Sequence, residues 1–183
     1  GLAVEPFSRE KMDATDREAV HAAVRTIIDK HGRIDLVMYC AGHYKAQRAT
    51  AYALDEMLKH QQINVSGAYI VLDAVLPQLL RQAAAKQHAH LSLVASVAGY
   101  RGLPGSGAYS ASKAAAISYL ESLRVELRGT GITVITVCPG YIVTAMTSHN
   151  PYRMPFIMTA DEAAGKIAAI IAQRKTYAVI PWQ

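Results

Sequence analysis

The chain has 183 residues, 51% of them hydrophobic and 18% charged, with a net charge of +5 and a pI of about 9.3. That length and apolar content suit one domain with a sizeable core. No stretch approaches ~18 uninterrupted apolar residues, which argues against a membrane span, and the dispersed basic residues form no aromatic-interleaved stripe for nucleic acid.

Helix and strand signals alternate along the sequence. Asp16–Lys30 places Ala19, Val20, Ala23, Val24, Ile27 and Ile28 on one stripe, which predicts an amphipathic helix. Thr15 or Asp16 is its expected cap and Gly32 its stop. Ile34–Cys40 is a short apolar strand. Helices are predicted over Tyr52–Ile63 and Gly67–Gln82, the second with a bend or break at Pro77. Leu91–Ala95 is a strand, Tyr109–Leu127 a helix, and Ile132–Val137 a β-branched strand ended by Pro139 and Gly140. Thr159 or Asp161 opens a helix to about Gln173, and Tyr177–Ile180 is a last strand. Continuous apolar strands separated by helices predict an α/β fold, a parallel sheet covered on both faces. Cys40 and Cys138 fall at the ends of two strands with one strand expected between them. Two spacings make about 9.5 Å, too far for a disulfide, so both are expected as free thiols, which fits a reducing compartment. No secretory signal pattern is present, and a cytoplasmic location is the expectation. The histidines show no metal-ligand spacing.

One constellation carries chemistry. Tyr109 and Lys113 lie four residues apart on a predicted helix, so they share a face. A phenol titrates near ~10, and a neighbouring cation favours its ionised form. Lys113 is therefore expected to bring Tyr109 toward the working range of an acid-base group. Ser96 closes the apolar run Leu91–Ala95 and can offer a hydroxyl to a substrate oxygen. Between them, GYRGLPGSG carries four glycines, the composition of a loop whose backbone passes close to a ligand.

SVAGYRGLPGSGAYSASKAA resembles the active-site segment of the short-chain dehydrogenase/reductase family. MDATD (Met12–Asp16), YCAG (Tyr39–Gly42), Asn64 in QINVSG and CPGYIVTAM (Cys138–Met146) match further family segments in the family's order. The resemblance implies a Rossmann-like doubly wound sheet and an NAD- or NADP-dependent oxidoreductase. Such an enzyme exchanges hydride between nicotinamide and a carbonyl or alcohol. By the same resemblance, Tyr109 is the acid or base, and Lys113 lowers its pKa and contacts the nicotinamide ribose. Ser96 polarises the substrate oxygen, and Asn64 holds a water linking Lys113 to solvent. Asp13, Ala41, Gly42, Pro139, Gly140, Ile142 and Thr144 are implied on the cofactor side, with Asp13 toward adenine. Tyr39 and Cys40 stand where the family has two asparagines, so this part of the site must be held another way. The resemblance also implies a homodimer or homotetramer. The many apolar residues of the Tyr109 helix (Ala114, Ala115, Ile117, Leu120, Leu123, Leu127) support that expectation by exceeding one buried stripe.

Residues 1–183 form the single expected domain, with 147–158 as a substrate lid. Met154, Phe156, Ile157 and Met158 there favour an apolar small-molecule substrate. The family's opening strand and Thr-Gly-x-x-x-Gly-x-Gly turn are missing from these residues. A sheet without its first strands would be broken in the middle, with unpaired edges and a loosely tied segment before Asp16. The expected explanation is an incomplete sequence. A non-catalytic sensing or interaction module is the competing reading.

Overall fold

The computed structural model describes residues 3–8, 10–148, 150 and 153–181. Helix α1 (Arg17–His31) starts where the Asp16 carboxylate accepts the Ala19 amide at 3.0 Å. It ends at Gly32, whose φ of +74° suits a residue without Cβ. The succession continues with β1 (Leu36–Tyr39), α2 (Leu54–Gln61), α3 (Gly67–Ala84) and β2 (Ala89–Val94). It finishes with α4 (Gly107–Glu126), β3 (Ile132–Pro139), α5 (Ala160–Ala172) and β4 (Tyr177–Ile180).

The four strands pair in parallel in the order β1-β2-β3-β4. Leu36 stands opposite His90, Leu91 opposite Val134 and Val137 opposite Ala178. One face buries Leu91, Leu93, Ile132 and Val134 against Val24 of α1, Leu72, Val75 and Leu79 of α3, and Leu120 and Leu123 of α4. On the other face Ile135, Val137 and Ile180 pack with Ala163 and Ile170 of α5. This is the expected Rossmann-like arrangement of a parallel sheet between helices.

The break in the sheet falls where the sequence places it. Among the described residues, nothing before α1 forms a strand, and β1 is an edge. Leu36 and Met38, on the side of the pleat opposite Tyr39, remain 41% and 37% exposed. The opening segment is better tied than expected, however, because Glu5 bonds both Lys30 at 2.5 Å and His31 at 3.1 Å.

Several other expectations are corrected. Pro77 lies inside α3 and does not end it. The interruption comes earlier, at a wider helical turn over Gln62–Ser66 that joins α2 to α3. The joined rod, Leu54–Ala84, is long and apolar enough to cross a membrane by length and composition, which no uninterrupted apolar run suggests. Its Ala68, Leu72, Val75 and Leu79 are buried against the sheet, the use a core helix makes of such residues. Ile117, Leu120 and Leu123 of α4 and Leu127 just after it are buried within the chain itself, whereas Ala114 and Ala115 are half-buried. Cys40 and Cys138 are free thiols on strands separated by β2, as expected.

Candidate active site

The C-terminal ends of β2 and β3 deliver the central residues, the place where open parallel sheets bind ligands. Ser96 follows β2 by two residues and caps a short turn, Val97–Gly99, by accepting the Ala98 amide at 3.1 Å. Its hydroxyl lies 3.5 Å from the Pro139 carbonyl at the end of β3. The turn then runs against α4. A methyl group on Gly99 would lie 2.8 Å from Ile117 Cδ1 and 2.9 Å from the Lys113 carbonyl carbon. Only glycine lets the Ser96 turn approach α4 this closely.

Tyr109 and Lys113 do share a face of α4, four residues apart. The Lys113 ammonium lies 5.7 Å from the Tyr109 ring centroid and donates to the Val94 carbonyl at 2.9 Å. Burial lowers its pKa to about 8. Burial raises that of Tyr109, while a hydrogen bond from Ser96 pulls it down and nearby Tyr44 pushes it up. This corrects the expectation that Lys113 brings the phenol down: the ammonium faces Val94, and the apolar surroundings disfavour both charges.

Asn64 sits in the wide turn between α2 and α3, fully enclosed. Its Oδ1 accepts the His43 amide at 2.6 Å, and its Nδ2 donates to the His43 carbonyl at 3.0 Å and to Ser112 Oγ at 2.9 Å. Ser112 in turn donates to the Tyr109 carbonyl at 2.7 Å. Asn64 thus ties the loop after β1 to α4. A methyl group on Gly42 would lie 3.8 Å from Asn64 Oδ1, Lys113 Nζ and Met146 Cε alike, so these groups surround one bare stretch of backbone.

The remaining sequence candidates lie around this centre. Ala41 is exposed beside Gly42. The Gly140 amide donates to the Ile180 carbonyl at 2.8 Å, binding the end of β3 to β4. Ile142 forms a parallel bridge with Met158. The Thr144 amide donates to Thr147 Oγ1 at 3.0 Å, in a tight turn that carries Met146 over Gly42. Asp13 accepts from the amide and hydroxyl of Thr15 at 2.9 and 2.8 Å, and its charge bears on Tyr39.

The expected lid resolves into different parts. Met158 is buried with Val137 and Ile170, so it belongs to the core. Phe156 and Ile157 are exposed. His149, Pro151 and Tyr152 lie outside the described residues.

Tyr39 supplies the other means of holding the site that its departure from asparagine demands. Its hydroxyl donates to the Ile63 carbonyl in the wide turn. Gly67 makes room for it, since a methyl group there would lie 2.5 Å from the Tyr39 oxygen. Sequence reasoning missed His60 and Tyr44, which flank Tyr109 with ring centroids at 6.4 and 5.2 Å. The position of His60 four residues before Asn64, on the same helical face, is the signal that could have found it.

A family model described as short chain dehydrogenase matches residues 5–153. The chain belongs to the short-chain dehydrogenase family. It is 36% identical over all 183 residues to an uncharacterized oxidoreductase of Myxococcus xanthus, spanning 70% of that protein. It is 32% identical over 140 residues to an uncharacterized oxidoreductase of Staphylococcus aureus; that match covers 76% of this chain and 59% of the relative. Similar solved folds include ElxO with NADP bound, with a TM-score of 0.81 at 22% identity over 92% of this chain and 74% of that one. Another is gox2181, with a TM-score of 0.81 at 27% identity, covering 92% of this chain and 71% of that one. A 3-ketoacyl-(acyl-carrier-protein) reductase from Brucella melitensis complexed with NADH also gives 0.81, at 24% identity over 91% of this chain and 72% of that one.

Proposed function

We propose that the chain carries the catalytic centre of an NAD- or NADP-dependent oxidoreductase acting on a carbonyl or alcohol. The observation that carries this reading is the shared face of α4 on which buried Lys113 lies 5.7 Å from the Tyr109 ring, with buried Ser96 at the end of β2. The donor set fits the nicotinamide half of the cofactor. The Lys113 ammonium, the Asn64 amide oxygen and the Met146 methyl all face the bare backbone of Gly42, each 3.8 Å from where a Cβ would stand. Tyr109, Lys113, Gly42, Pro139, Ile142 and Thr144 would hold it there. No glycine-rich turn for the pyrophosphate occurs within these 183 residues.

When bound, the nicotinamide supplies or accepts the hydride. In reduction the Tyr109 hydroxyl gives its proton to the substrate oxygen, and Ser96 Oγ donates a hydrogen bond to the charge developing on that oxygen. In oxidation Tyr109 accepts the proton instead. Lys113, its pKa lowered to about 8 by burial, would hold the nicotinamide ribose beside Tyr109. Exposed Val143, Met146, Phe156 and Ile157 support an apolar substrate. In the full-length protein, Tyr109→Phe should lower turnover by ~10²–10⁴-fold with little loss of stability. Near-normal turnover of the best substrate in that variant would overturn the mechanism.

Assembly as a homodimer or homotetramer is part of the same reading. Its support is now the exposed Tyr69–Tyr119 pair, ring centroids 4.9 Å apart, which links the outer faces of α3 and α4. Light scattering of the full-length protein should give twice or four times the chain mass. A monomer at micromolar concentration would overturn it.

A further inference from the structure

His60 is the one histidine that is completely buried among the described residues, with 0% exposure, and the catalytic reading leaves it without a task. Its Nδ1 bonds the Glu56 carbonyl at 2.6 Å, and its Nε2 lies 3.1 Å from the Lys45 amide, which donates to it. A carbonyl on one side and an N–H on the other fix the ring as neutral, with its proton on Nδ1.

The segment that His60 grips has no regular structure between Cys40 and Arg48, yet it is held at every second or third residue. Asn64 takes both backbone groups of His43. Glu56 pairs with the His43 ring at 3.1 Å and the Lys45 ammonium at 3.4 Å. Tyr44 and Ser106 share a hydroxyl contact at 3.2 Å, and the Gln47 amide donates to the Gly105 carbonyl at 2.8 Å. The product of these bonds is a brace. The Tyr44 ring meets Tyr109 edge-on at 5.2 Å, and the His60 ring stands on the same phenol at 6.4 Å.

We propose that His60 is a positioning residue for Tyr109: as acceptor of the Lys45 amide it fixes segment 43–47, and that segment braces the phenol through Tyr44. The proposal rests on the catalytic reading of Tyr109 but concerns a contact that exists apart from turnover. It also gives the brace a pH dependence. Protonating Nε2 would set a donor against the Lys45 N–H and release the segment. The charged and titratable groups facing His60 are Glu56 and Lys59 on its own helix, His43 and Lys45 on the segment, and Tyr109 on α4. Burial, then the His43 and Lys59 cations, hold its pKa below the usual value; Glu56 opposes them. The brace is therefore intact at neutral pH and lost as pH falls through that lowered value.

The test uses the full-length protein. Long-range proton–nitrogen NMR should show the Nδ1–H tautomer of His60 at neutral pH and a Lys45 amide protected from exchange. An Nε2–H tautomer, or a freely exchanging amide, would overturn the proposal without any assay of activity. In kinetics, kcat should fall on the acid side. His60→Gln offers an acceptor that does not titrate, so it should keep neutral kcat and lose that acid limb. His60→Phe keeps a ring without the acceptor and should lower kcat on the order of ten- to a hundredfold, with KM less affected. An acid limb that survives in His60→Gln sinks the proposal, as does wild-type kcat in His60→Phe. If His60→Phe does not fold, the wild-type tautomer and His60→Gln still decide. Tyr109→Phe run beside them separates the two readings: if it retains turnover the catalytic role fails, and with it any effect of the brace on kcat, whereas the Lys45 amide still reports the contact.

Discussion

Lys113 is held in two competing ways at the scale of a single side chain. Its hydrogen bond to Val94 gives the ammonium one partner, while the apolar wall around it penalises the charge. A lysine whose folded pKa is about 8, against 10.5 when free, binds fewer protons in the folded than in the unfolded chain between those values. Its contribution to stability is therefore unfavourable below about pH 8 and improves as pH rises toward 10.5. Lys113→Met should be at least as stable as the wild type at neutral pH, with that advantage shrinking as pH rises through this window. Denaturant titrations of both proteins near neutrality and near ~10 check this, because the buried tyrosines common to both cancel in the difference. A variant less stable at neutral pH, with the gap independent of pH, would show that the amine is fully compensated by its partners. Asn64 illustrates the same tension resolved differently. It is as deeply enclosed as Lys113, but uncharged, and both ends of its amide are bonded.

Among the elements, α5 shows local sequence acting without help. Thr159 accepts the Glu162 amide at 3.2 Å, and Glu162 accepts from the Thr159 amide at 2.8 Å, a reciprocal cap written in the sequence as Thr-x-x-Glu. Thr159→Ala removes one half of it and should cost roughly 0.5–2 kcal/mol, read as a lower thermal or denaturant midpoint with unchanged kcat. A loss of kcat without loss of stability would mean that α5 reaches the site in a way its packing on β3 and β4 does not suggest. The joined rod of α2 and α3 behaves differently. Pro77 looks like the break, yet the chain absorbs it within α3. The wide turn over Gln62–Ser66 is stabilised from outside by Tyr39 on β1, and nothing local in those five residues announces it.

At the scale of the whole molecule the described residues form a parallel sheet with Ser96 after β2, Pro139 at the end of β3 and β1 as an edge strand. The residues proposed for the nicotinamide side come from the ends of β2 and β3, from α4 and from the turn before α3. The backbone donors that a pyrophosphate needs are not among these residues. A polypeptide of only these 183 residues should therefore bind NAD(H) or NADP(H) very weakly, and isothermal titration with both cofactors is the check. Micromolar binding would show that Lys113, Tyr109 and the loops around them suffice. The chain spans 70% of its Myxococcus relative and 59% of its Staphylococcus relative, and the activity proposed above belongs to the whole protein. What the sequence by itself determined is what short-range physics controls: helix stripes, caps, the alternation of strands and helices, the shared face of Tyr109 and Lys113, and Ser96 at a strand end. Hydrophobic period and capping chemistry act within a few residues, so they can be read off the chain. Only the tertiary structure decided that Ile117, Leu120, Leu123 and Leu127 are spent inside the chain, that Met158 is core and not lid, and that Lys113 faces Val94. The grip of His60 on the loop beside Tyr109 was decided there too. Each of these depends on which distant surface arrives opposite a side chain, and on how much water that surface leaves behind.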